Sequence, residues 1–122
     1  MKSILYIFIL TILASASLFS QSIKGTWNGN LDINGISLAI VVNIDGLSAD
    51  SITMDSPEQS AFGIKVDKAE FNDNGFKLEI SSLNASLNGE MPTGDSIKSL
   101  FTQHGKNFPL TLKRGKYVPK PK

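Results

Sequence analysis

The sequence predicts an all-β domain, an antiparallel up-and-down meander of about eight strands closed as a small barrel. Three observations carry that prediction. Apolar and polar residues alternate with period two through most of the chain after residue 24, as half-buried strands require. Tight-turn pairs such as Asn34-Gly35 and Asp45-Gly46 separate the alternating runs. A Gly-x-Trp segment, Gly25-Thr26-Trp27, opens the series and a basic pair, Lys113-Arg114, ends it.

The residues ahead of the meander read as an export signal. Met1-Lys2 supplies a short positive start, Ile4 to Leu13 is almost continuously apolar, and Ala14-Ser15-Ala16 and Ser20 supply small residues for cleavage. The apolar stretch is shorter than the roughly 20 residues a spanning helix needs. Residues 1–20 are therefore expected to form the signal peptide, with the mature chain beginning between Ser17 and Ser22 after a cut at Ala16 or Ser20, and the protein to be periplasmic or secreted without a stable membrane anchor. Residues 21–114 then form one domain. With no Cys in the chain, disulfides, a lipidated N-terminal Cys and a thiol nucleophile are all excluded.

In the first strand Trp27, Leu31 and Ile33 share one face. Asn34-Gly35 is a hairpin signal, since both central residues of a type I′ turn need positive φ. Parity then reverses, with Ile36, Leu38, Ile40, Val42 and Ile44 alternating up to Asp45-Gly46. Ile52 and Met54 mark a weaker third strand, ended by Asp55-Ser56-Pro57. The next strand spans about Phe62 to Phe71, and its apolar parity shifts from Ile64 and Val66 to Ala69 and Phe71, the pattern of a β-bulge. After Asp73-Asn74-Gly75, Phe76, Leu78 and Ile80 alternate, then Ala85, Leu87 and Met91. Thr93-Gly94-Asp95 leads to Ile97, Phe101 and Gln103, and His104-Gly105-Lys106 to Phe108, Leu110 and Leu112. A meander of neighbouring strands closes most economically as a barrel, which removes exposed edges. A small two-sheet sandwich is the rival. The segment 115–122, rich in Pro and Lys, reads as a disordered basic tail.

Parity also places Arg114 on the face of Phe108, Leu110 and Leu112. If Trp27 faces the same interior, the guanidinium can lie over the indole and close the barrel, a contact of roughly 0.5–2 kcal/mol. The rival is a Trp packed among aliphatics with Arg114 in water.

The charge is nearly balanced, with 12 basic and 11 acidic residues. Five of the basic residues (Lys113, Arg114, Lys116, Lys120, Lys122) lie at the C-terminal end, leaving a mildly acidic body. Such a body lacks the basic face that nucleic acid requires.

Four segments, in order and spacing, resemble a known family: Gly25-Thr26-Trp27-Asn28-Gly29-Asn30-Leu31, Asp55-Ser56-Pro57-Glu58-Gln59-Ser60-Ala61-Phe62-Gly63-Ile64, Phe101-Thr102-Gln103-His104-Gly105 and Phe108-Pro109-Leu110-Thr111-Leu112-Lys113-Arg114. They are similar to the small lipocalin-like β-barrel domain found N-terminal to secreted bacterial α/β-hydrolase and β-lactamase-like serine hydrolases. The resemblance implies a barrel fold and a periplasmic setting. The chain stops eight residues after Arg114 and contains neither Gly-x-Ser-x-Gly nor Ser-x-x-Lys, so the expectation is a barrel standing without the enzyme's chemistry.

No catalytic constellation is expected, and no metal site or cofactor. His104 is the only histidine and sits in a turn. The aspartates near turns are ordinary turn chemistry, with no calcium loop. Gln59 and Gln103 are candidates for inward polar groups, pairing with each other or with backbone, or orienting a ligand. The interior should be mostly filled, with at best a shallow apolar pocket near one mouth. The candidate ligand residues are Trp27, Gln59, Phe62, Phe101 and Gln103. Two functions follow as expectations for a non-enzymatic monomer: binding of a small apolar or lipid-like ligand, or docking of a separately encoded secreted hydrolase through the Ser56–Ala61 loop and the tail.

Overall fold

The computed structural model describes residues 23–119. The predicted signal segment 1–20 and the last three residues of the basic tail lie outside the described residues. Within them no helix is long and apolar enough to cross a membrane.

Nine strands form one antiparallel sheet: β1 (Gly25–Ile33), β2 (Ile36–Ile44), β3 (Ile52–Ser56), β4 (Ala61–Lys65), β5 (Lys68–Asn72), β6 (Gly75–Ile80), β7 (Ala85–Glu90), β8 (Ser96–Gln103) and β9 (Lys106–Arg114). The spatial order is β4-β3-β2-β1-β9-β8-β7-β6-β5, curled as a half-barrel around one apolar core. The two-sheet alternative is thereby replaced by a single sheet. β1 and β9 pair antiparallel, with Trp27 opposite Arg114 and Asn28 opposite Lys113.

The predicted strand count needs correction. The single strand expected from Phe62 to Phe71 is two strands, β4 and β5, which form the two edges of the sheet. Their junction, Val66-Asp67, breaks the alternation where a bulge was expected. Val66 turns into the core, while Asp67 is fixed by its N–H to Glu79 O (2.8 Å) and by the Ser81 N–H to its Oδ2 (2.6 Å). The true bulge lies earlier. Met54 opposes Ile64 and Ser56 opposes Ala61, so two steps on β3 face three on β4. Gly63, at φ +65°, accommodates the extra residue, and its N–H donates to Asp55 Oδ1 (2.8 Å).

The hairpins follow their turn residues. Asn34 (φ 54°) and Gly35 (φ 84°) join β1 to β2, and His104 (φ 51°) and Gly105 (φ 77°) join β8 to β9 in the same two-residue form. Short 3₁₀ turns at Ala49–Ser51, Pro57–Gln59 and Ser81–Leu83 make three of the longer connections. Residues 115–119 carry no regular secondary structure. Gly115 is nevertheless tied to β1, donating to Thr26 O (2.8 Å) and accepting from Asn28 Nδ2 (2.8 Å).

Candidate functional site

The two ends of the curled sheet are built differently. At one end Trp27 is fully buried, 0 % exposed, and its indole Nε1–H donates to Ile23 O (2.9 Å). The Arg114 guanidinium carbon lies 4.2 Å from the Trp27 ring centroid, inside cation–π range. Arg114 also donates from Nη1 to Lys24 O (2.7 Å) and from Nε to Asp95 Oδ1 (3.1 Å). The aromatic ring is thus sandwiched between the core and a cation that ties both ends of the domain together. This end is sealed.

The opposite end contains a cavity of about 210 Å³. Leu31, Ile40, Met54 and Phe101 form its buried floor, with the buried hydroxyl of Ser56. Half-buried Ile33, Leu38, Ala61, Ile64 and Leu83 rise to the mouth. Gln103 is half-buried there and Gln59 exposed. The Pro57–Gln59 turn is held over this end because Glu58 Oε1 accepts the Ala39 N–H (2.9 Å), a β2 donor beyond the reach of the short β3.

The two glutamines do not pair with each other. Ser56 Oγ donates to Gln59 Oε1 (2.6 Å), and Gln103 Nε2 donates to Leu83 O (2.9 Å). Each amide therefore uses one of its four possible hydrogen bonds to hold a turn. An amide oxygen is no general base, so this partner does not activate Ser56 as a nucleophile. Among the described residues no group of three or more His, Cys, Asp or Glu is placed to hold a metal ion.

Of the predicted ligand residues, the structure brings Gln59, Phe101 and Gln103 to one cavity and leaves two elsewhere. Trp27 does not line it. Ile33, which does, lies six residues further along β1, roughly 20 Å at strand rise. Phe62 is 67 % exposed on the outer face, because the bulge at Gly63 lets Ala61 and Ile64 point inward while turning Phe62 out. There it lines an open outer groove of about 610 Å³ with Val41, Pro57, Glu58 and Tyr117. Ser56 and Leu83 were missed as cavity residues. Ser56 continues the inward alternation of Ile52 and Met54 along β3 and could have been read from it, whereas Leu83 sits in a 3₁₀ turn where alternation gives no signal.

Neither a protein-family model nor a curated protein nor a solved structure matches this chain.

Proposed function

We propose that this chain is an exported, non-enzymatic β-barrel module that binds a small apolar molecule in the inner cavity. The cavity carries this reading: an apolar floor, with a few polar groups gathered toward one end, is the usual make-up of a ligand site. The barrel wall is the curled sheet, whose two ribbons are joined along β1 and β9 with Trp27 and Arg114 at that seam. The leader-like segment 1–20 supports export. A dry cavity of about 150 Å³ takes benzene, so about 210 Å³ accepts roughly eight non-hydrogen atoms. Only the end of a longer, lipid-like chain would fit.

Titration with benzene should shift the Met54 methyl and Phe101 ring resonances and leave the Trp27 indole unmoved. Ala61→Leu, which fills the mouth with apolar atoms, should abolish those shifts while the protein stays folded. Unchanged Met54 and Phe101 signals at saturating benzene would overturn the binding reading.

One observation favours a second reading, an accessory domain that docks a separately encoded secreted serine hydrolase or another envelope protein. Exposed Phe62 and half-buried Tyr117 both line the outer groove, and aromatic side chains are the kind that anchor interfaces. The four segments resembling hydrolase-linked barrels support the same reading. Phe62→Asp should then weaken capture of the partner from periplasmic extract at least tenfold, with benzene binding intact. Equal capture by both proteins would remove this reading.

A further inference from the structure

Resting on the cavity reading above, we infer that the ligand is a short amphipathic carboxylate whose charged head sits at the mouth, beside Lys106, Gln59 and Gln103. The argument starts from register. Lys106 is the cross-strand partner of Gln103, and residues directly opposite in an antiparallel pair project from the same face of the sheet. Alternation along β9 agrees, since Lys106 shares parity with Phe108, Leu110 and Leu112, and the last two are buried in the core. Lys106 thus stands on the inner face of the sheet opposite the cavity residue Gln103, exposed and just outside the cavity lining, where its long side chain can reach a head group at the mouth. Its ammonium makes no hydrogen bond or ion pair with another described residue.

The other charges at this end are turned away or engaged. Asp32 has the outward parity of β1 and accepts the Gly35 N–H (3.1 Å). Glu58 lines the outer groove and holds the Ala39 N–H. Lys65 pairs with Thr53, on the face opposite to buried Met54. Asp67 is held by Ser81. His104 occupies the exposed tip of the β8–β9 turn. Among the described residues the inner rim therefore carries one cation and no facing acid.

The amides add donors. Leu83 O can only accept, so Gln103 must present Nε2 to it, which leaves one of the two Nε2 hydrogens uncommitted. Gln59 commits Oε1 to Ser56, and its Nε2 has no partner among the described residues. An ammonium just outside an apolar cavity, with three uncommitted amide N–H donors on two residues that line it, suits a carboxylate with a short hydrocarbon body. A neutral head would leave the ammonium unused, and a cationic head would be repelled.

The test uses the full protein and three probes of matched size: hexanoate, hexanamide and octane, followed by chemical-shift titration of Met54 and Phe101. Hexanoate should bind about fivefold more tightly than hexanamide at low salt, a margin set by one partly wet charge-assisted contact. That margin should shrink as ionic strength rises. Lys106→Met, at an exposed position, should remove it by weakening hexanoate about fivefold and leaving hexanamide unchanged. Hexanamide binding as tightly as hexanoate, or an equal loss of both in Lys106→Met, overturns the carboxylate assignment and leaves the cavity reading standing. Failure of all three probes to shift Met54 or Phe101 defeats the cavity reading, and this inference with it.

Discussion

Trp27→Ala should lower the stability of the domain by about 3–5 kcal/mol, the cost of deleting a large buried aromatic from a packed core. The ring is fully buried, so its removal leaves a cavity bounded by core residues on one side. It also strands the Ile23 carbonyl, which accepts the indole N–H, and removes the surface over which Arg114 is spread. Total stabilities of domains run to about 5–15 kcal/mol, so a large share is at stake. Arg114→Ala should cost less, about 1–2 kcal/mol, because that side chain is one-third exposed and its ion pair with Asp95 is largely wet. Thermal melts of the two variants give the ranking. Equal melting of Trp27→Ala and the unmodified protein would show that the sealed end contributes nothing to stability.

Gly29→Ala should destabilise by about 1–3 kcal/mol, although only one methyl group is added. A Cβ at position 29 would run into the Thr111 carbonyl oxygen, with Leu110 Cδ1 close behind. The obstacle is backbone of the neighbouring strand, which cannot rotate aside as a side chain can. The β1–β9 seam must therefore widen to admit the methyl. The loss should appear in denaturant melts, with amide exchange rising first at Asn28 and Lys113. A midpoint equal to that of the unmodified protein would mean that the two strands are not packed this closely.

Trp27 and Arg114 were legible in the sequence because one periodicity governs both strands, and parity propagates along a strand without knowledge of its neighbours. The tight turns were legible for a related reason: Asn34-Gly35 needs only local φ angles to announce itself. The β4–β5 junction was not. A bulge and a chain break both shift apolar parity by one, and only the pairing partners tell Gly63 from Val66-Asp67. The same ambiguity bears on Phe62, a candidate ligand residue that the bulge turns to the outer face although it shares parity with Ile64 and Val66. The cavity was half legible. Gln103 and Phe101 share an inward parity, but the convergence of Gln59 and Leu83 depends on two 3₁₀ turns whose placement is tertiary. Lys106 could have been read from β9 alone, since it continues the inward series of Phe108 and Leu110. Its charge masked the pattern.

The seam between β1 and β9 has a cost in chain entropy. Every other ladder joins strands that follow one another in sequence, whereas this one brings together residues 87 apart, as in the bond from Asn28 to Gly115. Loop-closure entropy grows as the logarithm of loop length, so closing this loop costs about 2 kcal/mol more than closing one of roughly ten residues. The hydrogen bonds that offset it are gathered at one corner: the Arg114 bond to Lys24 and the Gly115 bonds to β1. β1–β4 and β5–β9 are each a local meander that can form early, and their union waits on that corner. The last turn of chain after β9 is therefore a folding element, the latch that converts two adjacent ribbons into one sheet.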